Sequence, residues 1–175
     1  MPHPFFIRPA KIGDRDALCA LYQRSYPELL TEHYTQDVLE GALPLFGEAQ
    51  ESLLACGTYF LAECAETDAV VGAGGWTDLS PARGVSGTNL GHVRHVATRP
   101  DWLRRGVARA LIDVTLASAE AHGMRHMSCL STYTARAFYA SMGFEEAAEI
   151  ELTLAPGVHF PAVQMTRRLA DPMLA

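Results

Sequence analysis

The chain lacks an excess of positive charge: 14 Lys and Arg stand against 20 Asp and Glu, for a net charge of -6. A general nucleic-acid binder carries the opposite balance, because neutralising phosphates supplies most of its affinity. Aromatic and basic residues also fail to interleave, so nucleic acid is not expected as a partner. No apolar run approaches the roughly 20 residues of a membrane helix, and MPHPFFIRPAKIGD has no secretory pattern, so no membrane partner is expected and a cytoplasmic location is. The four cysteines, Cys19, Cys56, Cys64 and Cys129, form no CxxC and lie at no zinc-ligand spacing; they read as buried free thiols, and no metal is expected. HExxH, GxSxG and a Walker A lysine are all missing. His122 and His126 are four apart, but Gly123 breaks the helix between them. Nor is there a repeat, linker or low-complexity tract to divide the chain.

What is present is material for a core: 49% of the residues are hydrophobic and 19% charged in a chain of 175. That length suits one domain spanning 1–175. Phe5-Phe6-Ile7 reads as a strand halted at Pro9. A helix capped by Asp14 follows to about Tyr26, where Pro27 interrupts it. Thr35–Leu43, ended by Pro44, and Glu48–Cys56 read as two further helices. The period then changes to that of strands, with a hairpin of Thr58–Glu63 and Ala69–Trp76. Its GAGG (Gly72 to Gly75) marks a bulge or close packing rather than a phosphate loop. Residues 78–91 read as a surface loop and His92–Thr98 as a strand. An amphipathic helix from about Arg105 to His122 comes next, then a strand Met127–Leu130, a helix Thr134–Met142, and strands Ala148–Leu154 and Phe160–Arg167. This order predicts an α/β chain of the α+β kind: one mixed sheet with flanking helices.

Two segments carry chemistry. In HVATRPDWLRRGVARALI a strand runs through a proline turn into a helix that opens on Arg104, Arg105 and Gly106. The first turn of a helix leaves backbone N–H groups unpaired and favours anions. Gly106 lets a phosphate approach, Ala108 stays small, and Arg109 completes the one clear basic cluster. A diphosphate site and a well-capped surface helix both fit that segment alone. In TARAFYASMGF, Ala135, Phe138, Tyr139 and Met142 share a helical face, which suits a core; the Tyr139 hydroxyl can also donate a proton if it reaches a cleft.

Together, strand–RRGVA–helix and FYxxxGF some 30 residues later resemble the GCN5-related N-acetyltransferase (GNAT) superfamily. The resemblance covers most of the chain. It implies a central, mostly antiparallel sheet splayed at its middle, and acetyl-CoA as cosubstrate without a metal. It places the pantetheine arm on Val96, Ala97 and Thr98, and the pyrophosphate on Arg104, Arg105, Gly106, Val107, Ala108 and Arg109. It makes Tyr139 the proton donor to the departing thiolate. The family's early fourth-strand glutamate matches His92, with His95 as competitor for the base; both can equally be ordinary strand histidines, and a water chain to Glu32, His33 or Asp78 is a further route. Two departures stand out. Leu103 replaces the Gln or Arg that opens the phosphate motif, and Ser131 and Thr132 occupy the neighbourhood of an Asn common in the family. The implied activity is N-acetyl transfer to a primary amine of a small molecule or peptide. The alternatives are a non-catalytic acyl-CoA sensor and O-acyl transfer, and a homodimer is left open.

Overall fold

The computed structural model describes residues 4–79 and 89–169. Seven strands form one sheet: β1 (Phe5–Pro9), β2 (Tyr59–Cys64), β3 (Val70–Thr77), β4 (Leu90–Thr98), β5 (His126–Ser131), β6 (Glu145–Ala155) and β7 (Val158–Arg168). Five helices flank it: α1 (Arg15–Leu29), α2 (Gln36–Phe46), α3 (Glu51–Ala55), α4 (Val107–Ala121) and α5 (Arg136–Ser141). The strand order is β1-β2-β3-β4-β5-β7-β6, antiparallel everywhere except between β4 and β5. The expected mixed, mostly antiparallel sheet with flanking helices is therefore observed.

Alternation in β2 shows how the two faces are filled. Tyr59 and Leu61 pack with Leu18, Leu21 and Tyr22 of α1 and Leu53 and Leu54 of α3. Phe60, Ala62 and Cys64 point the other way, to Val107 and Leu111 of α4. A third cluster joins α5 to the sheet through Tyr139, Met142 and Phe144 against Met127 and Cys129. A fourth sets α2 on the β6–β7 hairpin, with Leu39 and Ala42 against Phe160 and Ala162.

Several boundaries differ from those expected. α1 runs through Pro27 to Leu29 and α2 through Pro44 to Phe46. Each proline sits in a last turn, where only a few residues follow the bond it removes. Leu30 N–H still donates to Tyr26 O and Gly47 N–H to Leu43 O. Asp14 occupies the N-cap position of α1 without a side-chain cap bond. Its carboxylate instead takes a two-pronged bond from Arg8 at 2.9 and 2.7 Å and accepts from Lys11 N–H. α3 is shorter than expected and α4 begins two residues later, at Val107. Most of the expected loop 78–91 lies outside the described residues, but β4 already begins at Leu90. All four thiols are free, yet Cys56 is exposed rather than buried. Among the described residues, no helix is long and apolar enough to cross a membrane.

The sheet is split at its middle. β4 and β5 pair in parallel only where Leu90–His92 meet His126–Ser128. Beyond His92, β4 bulges: Arg94 pairs Gly75 but Ala97 pairs Ala73, so His95 and Val96 oppose Gly74 alone. His95 carries φ 46°, a left-handed conformation uncommon outside glycine. The glycines of β3 permit the close packing. A Cβ on Gly72 would stand 2.5 Å from Val107 Cγ1 of α4, and one on Gly75 would stand 2.3 Å from Thr58 O. The neighbour at Gly75 is backbone and cannot swing aside. Gly75→Ala is expected to destabilise by about 1–3 kcal/mol or more. Gly13→Ala, with nothing within 4 Å of the new methyl, should be near neutral. Urea unfolding of the two variants beside the parent chain checks the contrast.

Candidate active site

The bulged segment of β4 is held by hydroxyl groups. Tyr59 Oη donates to His95 O at 2.6 Å, Tyr26 Oη to Val96 O at 3.1 Å, and Ser25 Oγ to Thr98 O at 2.8 Å. Tyr22 Oη and Tyr59 Oη share a further bond, and burial pushes both phenols well above their usual range. Within a strand, a residue's C=O and N–H project to the same edge. Arg99 N–H donates to Val71 O of β3 at 2.8 Å, so Arg99 and Ala97 face β3 while Thr98 and Val96 turn toward the split. Side chains from α1 cap their carbonyls, and β5 has already diverged from their amides. An extended ligand can add there as a strand would.

The end of β4 leads to a turn shaped for an anion. A 3-10 turn at Pro100–Trp102 gives way to Arg104 at φ 61° and Gly106 at φ 83°, the residue that starts α4. The first N–H of α4 to find its partner is that of Ala110, which donates to Gly106 O at 3.0 Å. The amides of Val107, Ala108 and Arg109 are thus free for a ligand, at the positive end of a 15-residue helix. Left-handed residues at such a turn form an anion-binding nest. Arg104, Arg105, Gly106 and Arg109 are exposed around it, and the Arg105 guanidinium lies 4.8 Å above the Trp102 ring. Leu103, which departs from the motif, is itself exposed, so the cradle consists of backbone and arginines. These residues fit a diphosphate, and the strand edge beside them fits an amide-bearing arm.

Tyr139 lies across the split on α5, 5% exposed, with its ring against Phe138 and Phe144. Gly143 at φ 87° turns the chain so that Phe144 N–H bonds Tyr139 O. Burial pushes the Tyr139 phenol well above its usual range. The neighbouring Cys129 thiol and Tyr26 hydroxyl add to the shift, since ionising either would oppose its charge. Burial raises the Cys129 thiol to about 12. Tyr139 therefore keeps its proton throughout the physiological range.

The two candidate bases differ sharply. His92, between Thr77 of β3 and Ser128 of β5, is pushed below its ordinary value by burial and by Arg94, while Asp78 opposes the shift. The His95 ring stacks on Tyr22 with centroids 3.8 Å apart and donates from Nε2 to Phe46 O at 3.1 Å. Its burial against α1 and α2 lowers its pKa to about 4. The water-chain candidates Glu32, His33 and Asp78 are exposed, and His33 Nδ1 lies 3.1 Å from Thr134 Oγ1. Ser131 Oγ donates to Thr132 O, and Thr132 Oγ1 accepts from Ala135 N–H at the start of α5. Among the described residues, no group of acids, histidines and cysteines could hold a metal.

Sequence reasoning passed over Ser25, Tyr26, Tyr59 and Arg94. Ser25 had a signal: it continues the buried stripe of Leu18, Leu21 and Tyr22, and a hydroxyl on an apolar face implies a backbone partner. Arg94 had one too, as a charge inside a strand buried on both sides.

A family model described as an acetyltransferase (GNAT) domain matches residues 55–146, more than half of the chain and both segments of the split. The chain belongs to the GNAT acetyltransferase family. Solved structures agree at the level of fold. A GCN5-related N-acetyltransferase from Rhodopseudomonas palustris superposes with a TM-score of 0.79 at 20% identity, over 97% of this chain and 98% of that one. The PaiA N-acetyltransferase of Thermoplasma acidophilum, solved with coenzyme A, gives 0.70 at 12% identity over 94% and 98%. The ribosomal-protein-S18-alanine N-acetyltransferase of Escherichia coli gives 0.64 at 16% over 95% of each. Comparison with curated proteins finds no match.

In this GNAT chain, His95 ties β4 to the helices in its neutral form. The unfolded chain protonates the ring near 6.5 and the folded chain only near 4. Between those values the unfolded state binds the extra proton, so stability falls as pH drops through that window. The expected loss from this group is about 3 kcal/mol. The stability gap between the parent chain and His95→Gln should shrink by up to that amount from pH 7 to pH 4, read by urea unfolding at each pH.

Proposed function

We propose that the protein is an acetyl-CoA-dependent N-acetyltransferase that passes acetyl directly to a primary amine of a small molecule or peptide. The whole of 1–175 acts as one catalytic domain. The observation that supports this reading is proximity: the Val96–Thr98 edge runs into the Arg104–Arg109 turn, and Tyr139 shares a cluster with Val96 and lies near Tyr26, whose hydroxyl bonds Val96 O.

Bound acetyl-CoA supplies the activated acyl group. Val96, Ala97 and Thr98 align its arm along β4, and the turn amides with Arg104, Arg105 and Arg109 hold its diphosphate. The attacking amine must first lose a proton, because an ammonium with a pKa near ~10 has no lone pair to offer. His92 accepts that proton. Its depressed pKa keeps the ring neutral at pH 7, and it lies on the catalytic strand at the point where β5 separates. His95, with one nitrogen committed to Phe46 and a pKa of about 4, acts as a positioning residue. The amine forms the new C–N bond, amide donors of the bulged edge face the charge growing on the carbonyl oxygen, the C–S bond breaks as Tyr139 gives a proton to the departing sulfur, and the second proton shed by the nitrogen restores the phenol.

Free CoA measured as a thiol, with a panel of amines, tests the reading. Release should require an amine, and Tyr139→Phe should lower kcat by about 100-fold with unchanged affinity for CoA. Tight CoA binding without release for any acceptor would mark an acyl-CoA sensor, and release with alcohols alone would mark O-acyl transfer. Unchanged turnover in Tyr139→Phe would remove the role given to that hydroxyl.

A further inference from the structure

A cavity of about 390 Å³ opens where β3 ends, walled in part by α3 and the residues after α4. Its volume lies within the range of small-ligand sites. The most unusual group in its wall is Arg94. Two residues from His92 on β4, it projects to the same face. The guanidinium is half-buried and donates from Nη1 to Thr77 Oγ1 at 3.0 Å. Among the described residues no carboxylate pairs with it. Burying a guanidinium without a counter-ion is costly, and here it lowers the group's pKa. Arg94 is one of the residues that line the cavity.

The opposite charge is close by. Asp78 also lines the cavity and raises the proton affinity of His92, while Arg94 lowers it. Both charges are thus within electrostatic reach of His92. Leu53 and Trp76 supply apolar wall. A positive and a negative pole flanking an apolar surface complement a molecule that carries both an ammonium and a carboxylate.

We propose that this cavity is the acceptor pocket and that the acceptor is an amino-carboxylate of amino-acid size. Its carboxylate lies on Arg94, its ammonium faces Asp78 and His92, and an apolar side chain lies against Leu53 and Trp76. The assignment rests on the acetyltransferase reading above and specifies its substrate class. Arg94 then replaces the solvation that the carboxylate loses, with two N–H donors in fork geometry.

The test pairs each of the common L-amino acids with its methyl ester, which keeps the amine and removes the negative charge. Free acids with apolar side chains should have kcat/KM at least about tenfold above their esters. In Arg94→Gln that ratio should fall to near one, with CoA affinity as the control for folding and Arg94→Met as the substitute should the glutamine variant fail it. Equal use of acid and ester by the parent chain, or a preference that survives in the variants, overturns the proposal and leaves amine acetylation standing. A second readout does not need turnover. Millimolar amino acid should raise the Tm of the parent chain and not that of Arg94→Gln. That shift without acetyl transfer to any amine would keep the carboxylate site and reject the acetyltransferase reading; no shift together with no acid preference rejects the site.

Discussion

The architecture depends on the capping of the bulged β4 carbonyls by hydroxyls from α1 and β2. A strand that leaves its partner exposes backbone groups that must find other bonds. At His95, Val96 and Thr98 these come from Tyr59, Tyr26 and Ser25. Without those caps, the positive φ at His95 would be strain with nothing to offset it. With them, β4 is anchored to α1 on one side and to β3 on the other, and β5 is free to turn toward β7. The split follows from how that one edge is satisfied, and the edge's N–H groups are what remain for a ligand.

The same arrangement sorts the histidines. The bulge rotates His95 out of the alternation of the strand and into the aromatic packing of Tyr22, Tyr26 and Phe46, where only a neutral ring fits. His92, before the bulge, keeps regular strand geometry between β3 and β5 and is flanked by charges of both signs. They stand three positions apart in sequence, but the bulge separates them in chemistry. The preference for His92 as base and the charged cavity beside it thus trace to one irregularity of the backbone.

Features encoded locally were readable in the sequence. The Arg104–Gly106 turn, the helix after it and the FYxxxGF segment are contiguous, and each signals its conformation through glycine, charge and apolar spacing. The glycines of β3 were readable as close packing for the same reason, and Gly72 and Gly75 meet α4 and Thr58 at distances that exclude a side chain. Pro27 and Pro44 misled because proline is excluded from helix interiors but tolerated where one turn remains. On β4 itself the bulge left no mark, since a histidine and not a glycine takes the left-handed position and the groups that hold it come from 36 to 73 residues away. Arg94 was overlooked because its meaning lies in a carboxylate that none of the described residues supplies.

The central claim is that the β4–β5 split, with the turn at its end, is where acetyl-CoA binds. Amide hydrogen exchange with and without acetyl-CoA tests it most directly, because the claim names the N–H groups that become bonded. The account predicts slowed exchange at Val96 and Thr98 and across Arg105–Arg109, with little change along β1 and β6. Protection elsewhere, with those amides exchanging as fast as in the free protein, would contradict it.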